Sequence, residues 1–253
     1  MSPLVVSLFV LVGLSLGLLG GGGSILTVPI LVYVSGLEAR DAIATSLVVV
    51  GATSLAAMVG HLRRGAVDVR AGLTFGVTSM VGSFVGGRVS HLLPASLLLS
   101  ALALVMFAAA LAMMRPRAAE GDPAPASSAR PRMLSVIPIG AGIGAVTGLV
   151  GAGGGFIVVP ALVLLMRMPV RTAVGTSLLV IAMSSLAGAL GAAGSASVRW
   201  PFALVVTLVS VAASLGGAAL ASRLPAASLR RMFAWLVLAM ALFTATKQLA
   251  PML

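Results

Sequence analysis

"GLLGGGGSILTVP", residues Gly17 to Pro29, places five glycines and a proline inside a run of leucine, isoleucine and valine. Glycine is the poorest ordinary helix former, and proline lacks the amide that the preceding turn would use. A continuous helix is therefore not expected here. The surroundings make the break informative, because the 253 residues are 60% hydrophobic and only 8% charged, with a mean hydropathy of +1.18. A water-facing surface needs more polar residues than that, so the chain reads as a polytopic membrane protein. In lipid an unpaired backbone amide costs several kcal/mol, and a non-helical turn at membrane depth survives only where protein or a polar cavity satisfies it. The glycine turn is thus expected to face inward.

The same pattern recurs. An offset of 131 lays Gly17–Pro29 on GLVGAGGGFIVVP, residues Gly148 to Pro160, and the ungapped register continues to Pro94 and Pro225 with 26 of 78 pairs identical. Arg40 falls on Arg171, Thr45-Ser46-Leu47 on Thr176-Ser177-Leu178, and Ser54-Leu55-Ala56 on Ser185-Leu186-Ala187. Arginine, proline and Thr-Ser matches over such a length point to a true internal repeat rather than a coincidence of small apolar residues. Between the copies lies RPRAAEGDPAPASSARPR, Arg115 to Arg132, whose Pro, Ala and charge mark a linker. The expected organisation is a first membrane repeat over 1–114, a linker over 115–132 and a second repeat over 133–253.

Apolar runs give ten segments: 3–20, 24–35, 42–60, 71–90 and 95–114, then 133–150, 155–166, 172–192, 199–222 and 226–249. Eight are long. A 12-residue helix rises roughly 18 Å against a hydrocarbon core of about 30 Å, so 24–35 and 155–166 read as half-helices. The opening MSPLVVSLFVLVGLSLGLL has no basic leader and no small-residue cleavage pattern, and reads as the first membrane segment. Asp41 and Thr172 are expected as N-caps.

Loop arginines give the orientation. Arg63, Arg64 and Arg70 share one loop, and Arg115, Arg117, Arg130 and Arg132 lie in the linker, so both are expected to be cytoplasmic. In the second repeat the bias moves to the other loops, with Arg167 and Arg171 in one and Arg223, Arg230 and Arg231 in the next. Equivalent loops would then lie on opposite sides of the membrane. The fold expected is an all-α polytopic membrane protein of two inverted-topology repeats, about five helical segments each, with glycine-broken helices at the centre.

Several function classes lose their parts. With no cysteine there is no disulfide or thiolate chemistry, and neither a zinc-binding motif nor a paired carboxylate is present. No enzyme activity, cofactor or metal is expected. The net charge of +11 sits in short loops with few aromatics, which suits topology and anionic headgroups and predicts no nucleic-acid partner. No Asp, Glu, Lys or Arg falls in the middle of an apolar segment, so a carboxylate proton relay is missing. His61 reads as an interfacial histidine beside Arg63 and Arg64, and His91 as a weaker candidate near the opposite interface.

Binding and passage remain. A helix starting at Ser24 or Gly155 presents amides without intrahelical acceptors and the positive end of its dipole, which together suit an anion. The plainer alternative is that the glycines only permit close helix crossing. Thr45-Ser46 and Thr176-Ser177 either face the same cavity or bond back to carbonyls one turn earlier. Ser54 and Ser185 lie two turns further along. The runs 95–114 and 226–249 are apolar all round and suit a homodimer contact or lipid contact equally.

The glycine turns, the following prolines, the R-x-A-[IV]-[AG]-T-S-L stretch at Arg40–Leu47 and Arg171–Leu178, and the basic central linker resemble the TauE/SafE family of membrane permeases over essentially the whole chain. The resemblance implies transport of a small sulfur-containing oxyanion such as sulfite or an organosulfonate (sulfoacetate, for example), in the plasma membrane. It places substrate contacts on Gly22, Gly23, Ser24, Thr45 and Ser46, partnered by Gly153, Gly154, Gly155, Thr176 and Ser177. A sulfonate offers three acceptor oxygens to such amide and hydroxyl donors. Ser24 stands where the second copy has Gly155. The function expected is a secondary transporter working as an exporter by alternating access, the alternatives being a passive anion channel or a non-transporting membrane scaffold.

Overall fold

A computed structural model describes residues 3–114, 133–151, 155–164, 166–193, 196–221 and 223–249. Among them the architecture is all helix: α1 (Pro3–Leu19), α2 (Ser24–Pro29), α3 (Ala39–Leu62), α4 (Val69–Val89), α5 (Ala95–Met114), α6 (Met133–Val150), α7 (Gly155–Leu164), α8 (Val170–Ala192), α9 (Trp200–Ala221) and α10 (Ala226–Leu249). Gly20–Gly23 forms a 3-10 turn between α1 and α2, and Ile30–Val34 prolongs α2 as a π turn after Pro29. Proline withholds one amide from the ladder and crowds the preceding turn, a common origin of such irregular pitch. The short segments at Ser24 and Gly155 begin where the sequence places them.

This is an all-α membrane protein. Among the described residues Pro3–Val34, Ala39–Leu62, Val170–Ala192 and Trp200–Ala221 are long and apolar enough to cross a bilayer, and three shorter apolar helices lie within α5, α6 and α10. Large apolar side chains such as Leu55, Val81, Leu104, Leu186, Leu204 and Leu208 point outward, as lipid contact requires. The buried core holds many small hydroxyls and glycines instead.

The helix crossings repeat at the 131 offset. Gly13 and Gly17 of α1 lie directly against the carbonyls of Ser210 and Ser214 of α9, and Gly144 and Gly148 of α6 lie against those of Ser79 and Ser83 of α4. Any side chain at these glycines would overlap a neighbouring backbone, so small residues set the approach that lets dispersion act between helices in lipid. Ser210 Oγ reaches back to the Phe9 carbonyl (3.1 Å), and Ser83 Oγ donates to the Ser184 carbonyl of α8 (2.7 Å). α5 packs against α10 in the same chain, which uses part of the apolar surface of those two helices internally.

α3 and α8 are also related by the offset, and they lie antiparallel. At one end Asp41, near the start of α3, accepts from Ser197 N (2.9 Å) and Ser197 Oγ (3.0 Å), just past the end of α8. At the other, Asp68 N, just past α3, donates to Thr176 Oγ1 near the start of α8 (2.9 Å).

The expected N-caps need correction. Glu38 and Pro169 hold the N-cap positions of α3 and α8 in extended conformation, neither with a side-chain cap, so Asp41 and Thr172 fall inside the first turns. Asp41 instead spends its carboxylate on Ser197, still near the positive end of α3. A side-chain cap does occur at Asp68, whose carboxylate accepts from Ala71 N (3.0 Å) to start α4.

Candidate functional site

The two glycine turns have the same origin. Gly20 has φ +68° and Gly151 has φ +70°, a left-handed conformation that costs glycine nothing and other residues about 1 kcal/mol or more. Each turn therefore breaks its helix at the equivalent residue. The turns also meet: Gly21 lies against the backbone of Gly155, with no room for a Cβ on either residue. Gly22, Gly23 and Ser24 are buried at this junction, and Gly23 packs on the backbone of α1 at Val12 and Leu16. Gly153 and Gly154 lie outside the described residues.

The serines of the Thr-Ser pairs reach across to the other copy's turn. Ser46 Oγ of α3 contacts the Gly151 carbonyl and also its own Ile43 carbonyl (2.9 Å). Ser177 of α8 lies beside Gly20, with its hydroxyl donated to the Val174 carbonyl (2.8 Å). Ile43 and Val174, three residues before each serine, press on Gly151 and Gly20 respectively. The first turn is thus seated on α8 and the second on α3. Ser24 Oγ closes the first turn locally on the Gly21 carbonyl (2.7 Å).

The threonines part company with their serine neighbours. Thr176 is taken up by Asp68 N and packs its methyl toward Gly72 of α4. Thr45 is fully buried, and its hydroxyl has no partner among the described residues. Ser54 and Ser185, equivalent under the offset, are fully buried and likewise have no partner among the described residues. They lie near the α3–α8 crossing, where a Cβ on Gly51 would sit 3.2 Å from that of Ser185. A buried hydroxyl left unpaired costs about 1–3 kcal/mol, and water or a ligand is the usual reason one persists. The sequence gives Ser54 and Ser185 little prominence, and their repeated position is the signal for them.

His61 differs most from its sequence reading. It is only 5% exposed, and its Nε2 bonds the Gly17 carbonyl (2.8 Å), immediately before the first turn. A helix-end histidine beside two arginines looks interfacial in sequence, and only the packing of α1, α8 and α9 around the end of α3 encloses it.

Apolar helices facing outward, a buried polar seam and two helix breaks meeting at the centre define an integral membrane protein of the transporter class. The chain belongs to the sulfite exporter TauE/SafE family, which matches residues 5–244. It is 35% identical over 236 residues to a probable membrane transporter protein of Xylella fastidiosa, covering 92% of this chain and 90% of the relative. It is 32% identical over 210 residues to the probable membrane transporter protein YunE of Bacillus subtilis (75% of this chain, 77% of the relative), and 28% identical over 195 residues to the probable membrane transporter protein MJ0441 of Methanocaldococcus jannaschii (73% and 71%). No solved structure matches the chain. The chain is a membrane transporter, as its family is.

Proposed function

We propose that this transporter is a secondary exporter of a small sulfur-containing oxyanion, sulfite or an organosulfonate such as sulfoacetate, working by alternating access of two inverted halves. The observation that carries the reading is the junction of the glycine turns, where Gly21 meets Gly155, Ser46 bonds the Gly151 carbonyl of the opposite copy's turn, and Ser177 lies beside Gly20. A junction shared in this way moves whenever one half rocks against the other, which is what alternating access about a central site requires. The antiparallel packing of α3 and α8 supports the inverted relation. The family's description as sulfite exporters supports the substrate class.

In this reading the turns, with Gly22, Gly23, Ser24, Thr45 and Ser46 from the first repeat and Gly153, Gly154, Gly155, Thr176 and Ser177 from the second, surround the anion. The chain sits in the plasma membrane with 115–132 on the cytoplasmic side. No catalytic step is involved. Flux of radiolabelled sulfite and sulfoacetate into proteoliposomes is the test. Saturable, protein-dependent movement supports the reading; non-saturating flux with unitary currents would make the protein a channel, and no movement of any sulfur oxyanion would remove the assignment.

A further inference from the structure

A second feature lies on one side of the first turn, where the end of α3, the start of α8 and the end of α9 converge. A cavity of about 150 Å³ opens there, with His61, Arg64, Arg171, Val174, Ala218 and Ala221 in its walls. Its volume equals roughly five waters, enough for a compact oxyanion and too small for a nucleotide or peptide. Its polar wall is basic. Arg64 spends one nitrogen on the Gly60 carbonyl (2.8 Å) and Arg171 one on the Leu224 carbonyl (2.9 Å), which holds both guanidinium groups in place while leaving further N–H donors on each. Asp41 lies at the far end of α3 on Ser197, and Asp68, which follows this end of α3, caps α4 through its Oδ1.

The cavity is joined to the first turn on two sides. His61 in its wall bonds Gly17, and Val174 in its wall presses on Gly20. It is also one-sided. Where the first half's loop supplies His61 and Arg64, the equivalent residues of the second half are Ala192 and Ser195, and Arg171 corresponds to Arg40. The repeat therefore builds this cavity at one end of the molecule, with two arginines and a histidine, and keeps only one arginine at the equivalent positions of the other.

We infer that the His61–Arg64–Arg171 cavity is a loading site for a small oxyanion, collecting it on one face of the protein and passing it toward the Gly20 turn. The inference rests on the transport reading above, and it deepens that reading by giving the two ends different affinities. Arginine binds such anions through paired, charge-assisted hydrogen bonds, so both the charge and the fork geometry matter. An anionic lipid headgroup shares this chemistry. The cavity's small volume and the burial of His61 at its inner wall favour the free anion.

The test uses the full chain in nanodiscs and proteoliposomes, with sulfite as the probe. In phosphatidylcholine nanodiscs, sulfite is expected to raise the unfolding midpoint of the wild type, and Arg64→Gln and Arg171→Gln to weaken its apparent affinity roughly tenfold or more, with Arg40→Gln unchanged. In proteoliposomes sorted for orientation, the same two substitutions raise KM for entry from the cavity's face and leave KM from the other face alone. Unchanged binding in Arg64→Gln and Arg171→Gln alongside wild-type flux overturns the loading site and spares the transport reading. Arginine-dependent binding without flux leaves an anion site there but overturns both its loading role and the transport reading. Loss of the sulfite response when phosphatidylglycerol is added identifies a headgroup site and overturns the inference, and no binding and no flux in the wild type overturn both.

Discussion

Ser46 of the first repeat bonds the carbonyl of Gly151, the left-handed glycine that opens the second repeat's turn, 105 residues away. Its counterpart Ser177 sits beside Gly20 and bonds only its own helix. The two copies use one serine for unequal work, and the difference is measurable. Ser46→Ala strands a buried carbonyl and should cost about 1–3 kcal/mol, whereas Ser177→Ala should stay within about 0.5 kcal/mol. Thermal unfolding of the purified variants in one detergent reads this directly; equal midpoints would remove the tether.

Gly21 has no space for a methyl group, because the backbone of Gly155 occupies it. Gly21→Ala must push the two turns apart, and flux should fall at least tenfold even where folded protein is recovered. Gly142, on α6, has nothing within 4 Å of a Cβ, and alanine there should stabilise the helix by about 0.5–1 kcal/mol with transport retained. Side-by-side flux per folded molecule separates the two cases, and normal flux in Gly21→Ala would count against the junction as the moving element.

Ser54 and Ser185 hold buried hydroxyls that bond nothing among the described residues. Replacing either with alanine removes no protein hydrogen bond, so the unfolding midpoint should hold or rise slightly. If these hydroxyls line the anion's route, sulfite flux falls severalfold at the same time. A variant that is more stable and equally active would assign them to packing alone.

Asp41 and Ser197 close one end of the α3–α8 pair with two hydrogen bonds. A double-mutant cycle with Asp41→Ala and Ser197→Ala should return a coupling of about 0.5–1 kcal/mol, since the first bond runs to a backbone amide that survives the serine change. Additive effects would show that the Ser197 hydroxyl bond contributes nothing to the pairing.

The sequence carried the helices further than the contacts between them. Hydropathy, glycine and proline act within a few residues, so the break at Gly20, the restart of α2 at Ser24 and of α7 at Gly155, and the all-helical membrane fold are legible from local chemistry. The 131-residue offset likewise identified Ser46 and Ser177 as a pair. Caps were less legible: an aspartate near a helix start can cap or reach elsewhere, and Asp41 was drawn to Ser197 from the far end of another helix.

What the tertiary structure alone decided is which copy each residue serves. Ser46 works on the second turn rather than its own, Thr176 accepts from the loop before α4, and His61 is enclosed beside Gly17 in a cavity it shares with Arg64 and Arg171. Local sequence fixes where a helix begins and ends, because backbone preference and proline's missing amide are local. Which faces meet depends on close approaches at Gly13, Gly17, Gly144 and Gly148, set by the sum of many small dispersion contacts between segments far apart in the chain.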